Sequence, residues 1–295
     1  MPAPLRPRRS VLFMPGSNAR ALEKAQSLAA DGLIFDLEDA VAPDAKRSAR
    51  DSVARALAAG NYGRRELMLR VNALTTEWGH ADLVAAASMP IDAVLLPKVE
   101  SADAVRQAQA VLVEAGAPER LAIWCMIETP RGVLRSEGIA SAGTRVTGLV
   151  MGTADLTKDL RARHTRDRLP LMTAFGHCLL IARAFGLAIL DGVHLDLADD
   201  EGFLAACRQG RDLGFDGKTL IHPKTIAAAN AIFAPSSEEV TSARRIIAAH
   251  AEAIAAGTGI VVVDGKLIES LHVQSAQQTV ALAEAIASLD HGSQS

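Results

Sequence analysis

At 295 residues, with 49% hydrophobic and 22% charged residues, the chain has the make-up of a globular protein, and its length suits one barrel-sized domain with a short extension. A net charge of -3 gives no electrostatic reason to expect nucleic acid, and no run approaches the roughly 20 apolar residues of a membrane helix. Cys125, Cys178 and Cys207 are far apart and form no CxxC or Cys/His cluster, which argues against zinc or a disulfide framework. Arg6-Pro7-Arg8-Arg9 reads as a solvated basic arm with no apolar secretory run behind it, so the expected compartment is a reducing cytoplasm.

From there the chain alternates. Short apolar, β-branched runs end in polar residues, and Ala-rich stretches with helical spacing follow. The runs are SVLFMP at 10–15, GLIFDLED at 32–39, ELMLRVN at 66–72, IDAVLLPK at 91–98, LAIWCMIET at 121–129, VTGLVMGT at 146–153, LAILDGV at 187–193 and GKTLIH at 217–222. They are continuous rather than alternating, as expected of strands buried on both faces of a parallel sheet. Between the first two, residues 18–30 keep Ala21, Leu22, Ala25, Leu28 and Ala29 at helical spacing; Ser101 and Gly116 read as the N-cap and terminator of a later helix. Strand–helix alternation repeated eight times predicts a (β/α)₈ TIM barrel. The rival doubly wound sheet usually carries a phosphate loop, and neither GxGxxG nor GxxxxGK[ST] occurs. After Phe233 the rhythm changes. A turn-like Ala234-Pro235-Ser236-Ser237 leads to a predicted helix over 238–256, a β-like run over 259–263 and a last helix over 274–287. The expected organisation is a catalytic barrel over 1–233 and a C-terminal extension over 234–295.

Barrel active sites lie at the C-terminal ends of the strands. Here those ends carry Pro15-Gly16, Asp36 with Glu38-Asp39, Arg70 with Asn72, Lys98, Glu128, Asp155, Asp191 and His222. Carboxylates converging beside an arginine call for a positive partner. Mg²⁺ suits, since it takes oxygen ligands and typically one or two protein carboxylates. Glu128 and Asp155 end neighbouring strands and are the candidate metal ligands, while Arg70 suits a planar grip on a carboxylate or thioester oxygen. Cys125, in mid-strand, reads as core. His222 fits a structural or a catalytic role equally, and Asp191 either a turn or a support.

These strand ends also carry a resemblance spanning nearly the whole chain. RSVLFMPGSNAR (9–20), IFDLEDAV (34–41), LRVNAL (69–74), LLPKVES (95–101), IETPRGV (127–133), GTADLTKDL (152–160), DGVHLDLADDEGF (191–203), GFDGKTLIHP (214–223) and DGKLIES (264–270) stand in order. Together they resemble the citrate lyase β-subunit-like aldolases, relatives of malyl-CoA, citramalyl-CoA and citryl-CoA lyases. The resemblance implies Mg²⁺ on Glu128 and Asp155, substrate contacts from Arg70 and Glu128, a CoA site between Phe13 and Lys24, and a homotrimer or hexamer. It also implies a catalytic acid supplied by the tail of a neighbouring subunit. Such tails usually read GKMIDxP; here the text is Gly265-Lys266-Leu267-Ile268-Glu269-Ser270-Leu271, so Glu269 stands for the aspartate and the proline is missing. The activity this implies is Mg²⁺-dependent retro-Claisen cleavage of a 3-hydroxyacyl-CoA to acetyl-CoA and a 2-oxo acid, with Arg70, Glu128, Asp155 and Glu269 as the catalytic set. The alternatives are thioester hydrolysis or a malate-synthase-like reaction, or a lyase-complex subunit that needs an acyl-carrier partner.

Overall fold

The computed structural model describes residues 6–255, 257 and 261–292. Each of the eight apolar runs forms a strand: β1 Ser10–Pro15, β2 Gly32–Asp36, β3 Glu66–Arg70, β4 Ala93–Leu96, β5 Ala122–Ile127, β6 Val146–Met151, β7 Ala188–Asp191 and β8 Gly217–Leu220. Neighbours in sequence pair in parallel, and β1 closes on β8 with Ser10 opposite Lys218. The predicted barrel is therefore the fold. Strands stop short of the predicted runs because the polar ends turn out of the ladder. After β2, the Asp36 carboxylate accepts from the N–H groups of Glu38 and Ala40 at 2.9 and 3.2 Å, and this side-chain turn ends the strand.

Two apolar layers hold the barrel. Inside it, Val11, Ile34, Met68, Leu95, Trp124, Met126, Val150 and Leu190 form one cluster. Trp124 is fully buried there and fits because Gly148 lies beside it: a Cβ on Gly148 would fall 2.4 Å from the indole. A larger cluster fills the space between strands and helices, and Cys125, Cys178 and Cys207 are buried. The N-terminal strand ends are closed by ion pairs, Arg8 with Glu66 at 2.5 Å and Arg9 with Asp31 at 2.7 Å, while Arg8 lies 5.0 Å from the Trp124 ring centre. That face of such a barrel serves stability.

The helix predicted over 18–30 is shorter, Ala19–Ala25, capped by Asn18, whose side chain accepts from the Ala21 N–H. Beyond it Arg65 takes the Leu28 carbonyl with Nε and Nη2 at 2.9 and 2.6 Å and draws that carbonyl out of helical register. Ser101 caps the helix Ala102–Glu114, and Gly116 follows at φ +77°, as read from the sequence.

The described residues divide into two compact units, Arg8–Phe233 and, in the main, the residues from Ala234 onward. In the second unit the helices Ser237–Ala255 and Ser270–Gly292 pack on each other. The predicted single run proves to be half of an antiparallel hairpin, β9 Val261–Val263 and β10 Lys266–Ile268. Asp264 and Gly265, at φ +50° and +75°, make the left-handed two-residue turn that suits a tight hairpin. Residues 256, 259 and 260 of the predicted helix and run lie outside the described residues.

Candidate active site

Strand register assembles a charged cluster at the C-terminal end of the barrel. Asp36 and Arg70 are ladder partners at the ends of β2 and β3. The Arg70 guanidinium donates to both Asp36 oxygens, from Nε at 2.7 Å and from Nη2 at 2.6 Å. Its third nitrogen, Nη1, lies 2.9 Å from Glu38 Oε2. This last pair is close in charge but not aligned as a hydrogen bond, so Glu38 Oε2 is a buried oxygen without one. Burial alone would push the Arg70 pKa down; the Asp36 hydrogen bonds and the surrounding carboxylates reverse that and hold it above its ordinary value. Phe13 presents its ring 4.8 Å from the guanidinium carbon, completing a wall of the cluster.

Glu128 follows β5 and is 1% exposed. Its Oε1 accepts from the Lys98 main-chain N–H at 2.7 Å. The other oxygen occupies space that only glycine leaves open: a Cβ on Gly152 would sit 2.5 Å from Oε2 and 2.2 Å from the Glu128 Cβ. Gly152 lies just beyond β6, where its N–H donates to the Ile127 carbonyl at 3.1 Å. Burial pushes the Glu128 carboxyl up to about 7, against the pull of Lys98. Asp155 stands in the first turn of the helix Thr153–Asp159, which begins directly after Gly152. Its side chain is 29% exposed, with Lys158 Nζ at 3.9 Å. Glu128 thus packs against Gly152, the residue that precedes the short helix carrying Asp155. Carboxylates outnumber cations by one, since Asp36, Glu38, Asp39, Glu128 and Asp155 stand against Arg70, Lys98, Lys46 and Lys158. Among the described residues no group of three or more His, Cys, Asp or Glu is placed so that it could hold a metal ion. A site with two carboxylates and open positions is the kind Mg²⁺ takes, and the uncompensated charge, the raised Glu128 and the bare Glu38 oxygen fit such an ion.

The remaining candidates separate. Lys24 is exposed in the last turn of the helix Ala19–Ala25. Asp191 is a support: fully buried, it takes Arg168 and Lys218 at 2.7 Å each. His222 caps the turn Pro223–Thr225, its Nδ1 accepting from the Lys224 N–H at 3.1 Å. Glu269 belongs to the second unit, exposed at the entrance to the final helix, where its N–H donates to His272 Nδ1 at 2.9 Å. A cavity of about 430 Å³ opens between Thr153, Thr157, Arg163, Arg168 and His194. Neither Glu128 nor Asp155 lines it: Thr153 and Thr157 share one face of their helix while Asp155, roughly 200° from Thr153, projects from the other. Sequence reasoning placed Glu38 and Lys98 at strand ends without giving them roles, and passed over Gly152. Their signal was position alone.

An α/β barrel with an acid-rich site at its strand C-termini is the class that fold and site define. The chain belongs to the HpcH/HpaI aldolase/citrate lyase family, whose model matches residues 9–223. A protein named (3S)-malyl-CoA thioesterase from Cereibacter sphaeroides (strain ATCC 17029 / ATH 2.4.9) is 54% identical over 281 residues, covering 95% of this chain and 96% of the relative. A citrate lyase subunit beta from Leuconostoc mesenteroides subsp. cremoris is 36% identical over 283 residues, 94% of each chain. Among solved structures, the CitE protein of Mycobacterium tuberculosis in complex with magnesium, acetoacetate and coenzyme A is similar at TM-score 0.74 and 29% identity, covering 93% of this chain and 97% of that one.

Proposed function

We propose that this chain is a Mg²⁺-dependent enzyme acting on a malyl-type 3-hydroxyacyl-CoA, with thioester hydrolysis as its reaction. The carrying observation is the buried Glu128, pushed up to about 7 and held between the Lys98 N–H and Gly152 beside Asp155. A carboxylate kept dry in this way is costly unless a cation joins it. Glu128 and Asp155 hold the ion, which when bound supplies a positive centre for the hydroxyl and carboxylate oxygens of the substrate. Arg70 and Phe13 wall the acyl end, Arg70 also ordering Asp36 and Glu38, and the CoA portion lies along the segment from Phe13 to Lys24. The names of the 53–54% identical relatives favour hydrolysis. Malyl-CoA and water then give malate and free CoA.

Carbon–carbon cleavage is the second reading, favoured by the family itself and by the similarity to citrate lyase β subunits. It needs a proton donor for the acetyl-CoA enolate. Glu269, lent by a neighbouring copy of a cytoplasmic homo-oligomer, is the candidate, a methylene longer than the aspartate it replaces; an offset of about 1 Å can cost on the order of 100-fold in rate. Product analysis with malyl-CoA separates the readings. Malate with stoichiometric free thiol is expected; acetyl-CoA with glyoxylate would establish the cleavage reaction instead. An enzyme inert to malyl-, citramalyl- and citryl-CoA would refute both.

A further inference from the structure

The main chain of Lys98 holds Glu128, while its side chain takes no part in the chemistry above, yet the chain distorts itself to place it. β4 ends at Leu96, the chain turns through Pro97 and Lys98, and the Val99 N–H then donates to the Met126 carbonyl of β5 at 3.2 Å. Lys98 adopts φ +48°, a left-handed conformation that a long L side chain rarely takes. Strain of this kind persists only where the surroundings impose it, and it gathers at functional sites. Two carboxylates impose it here. The Lys98 N–H donates to Glu128 Oε1 at 2.7 Å, and its Nζ donates to Glu38 Oε1 at 2.5 Å. One residue therefore grips the candidate metal ligand through its main chain and the neighbouring acid through its side chain.

The two cations of the cluster differ in freedom. Arg70 has committed Nε and Nη2 to Asp36 and faces Glu38 with Nη1, and its side chain is 9% exposed. Lys98 has one hydrogen-bond partner for its ammonium group, a flexible four-carbon stem and a side chain 38% exposed. Lys98 is therefore the cation freer to turn toward a ligand. When it moves, Glu38 loses its side-chain hydrogen bond and keeps the charge of Arg70 Nη1 at 2.9 Å.

We propose that the Lys98 ammonium contacts the thioester oxygen of the substrate and stabilises the negative charge that develops there, with Glu38 as its resting counter-ion. This rests on the acyl-CoA reading above but not on the choice of reaction. In hydrolysis, water adds to the thioester carbon, the carbonyl π pair moves to the oxygen, and collapse of that oxyanion breaks the C–S bond and releases the thiol, which takes up the proton. In cleavage, loss of the hydroxyl proton forms the new carbonyl, and the C2–C3 bond pair becomes an enolate with its charge on the same oxygen, later protonated at C2. Both routes place the charge where Lys98 can meet it.

The test compares Lys98→Met, Lys98→Gln and Lys98→Arg in the full-length, Mg²⁺-loaded protein with malyl-CoA. Removing one donor to an oxyanion typically costs about 100- to 1,000-fold in kcat. The Met and Gln variants should lose that much kcat with KM within about threefold of wild type, and Arg should restore about tenfold or more. Calorimetric Mg²⁺ affinity at pH 8, above the Glu128 titration, should not fall by more than about threefold in any of the three, because the main-chain N–H to Glu128 remains. Unchanged kcat in both neutral variants, or a loss of Mg²⁺ affinity that parallels the loss of kcat in whichever variants fold, would overturn the proposal; the second result would make Lys98 a holder of Glu128 only. A wild type inert to malyl-CoA would defeat the acyl-CoA reading and this inference together, whereas an active wild type with indifferent variants defeats this inference alone.

Discussion

Glu128 is a residue whose surroundings oppose its own charge. Burial raises its carboxyl from the ordinary 4.5 to about 7, and the Lys98 attraction offsets this only in part. An acid with a folded-state pKa above its unfolded value stabilises the fold only while protonated. Its contribution is therefore complete below about pH 4.5 and is lost as pH rises to about 7. The metal-free protein should melt at lower temperature at pH 8 than at pH 5 through this group, and Glu128→Gln should flatten that difference. Magnesium must displace the proton below the pKa, so its apparent affinity should rise about tenfold per pH unit up to about 7 and level off above. Calorimetric titrations at pH 5.5, 6.5 and 8 check this; a pH-independent affinity would remove Glu128 from the ligand set.

At the scale of elements, the site depends on how strand ends meet. Gly152 shows it best: its φ of −88° is open to any residue, so glycine is present for space rather than for backbone freedom. Gly152→Ala would drive a methyl into the Glu128 side chain at 2.2 Å and displace the carboxylate. We expect Mg²⁺ affinity to fall by at least about tenfold and the melting temperature to drop by several degrees, as overpacking typically costs about 1–3 kcal/mol. Affinity equal to wild type would mean that Glu128 relaxes without consequence. The eight strands were legible because a buried parallel strand writes itself as an unbroken apolar run, and Asp36, Arg70, Glu128 and Asp155 were legible because barrels keep chemistry at the ends of such runs. The rest depended on geometry that residue types do not encode. The left-handed turn at Lys98, the use of the Arg70 fork on Asp36, the capture of the Leu28 carbonyl by Arg65, and β10, whose KLI carries too little apolar sequence to stand out, all arise from tertiary contacts.

For the whole molecule, the chain supplies a barrel unit holding Glu128 and Asp155 and a separate unit carrying Glu269. If the extension of one copy serves the barrel of another, mixing inactive Glu128→Ala protein with Glu269→Gln protein should restore part of the activity, since some mixed assemblies contain an intact site. No recovery after verified subunit exchange would confine each site to a single chain, and a fully active Glu269→Gln protein would show that the reaction proceeds without this acid, as hydrolysis allows. An anomalous diffraction map of crystals soaked in Mn²⁺, as a stand-in for Mg²⁺, would show whether an ion lies between Glu128 and Asp155. One strong peak is expected, roughly 2 Å from an oxygen of each carboxylate. A peak bound instead in the cavity beside His194, or a map without a peak at Glu128, would contradict it.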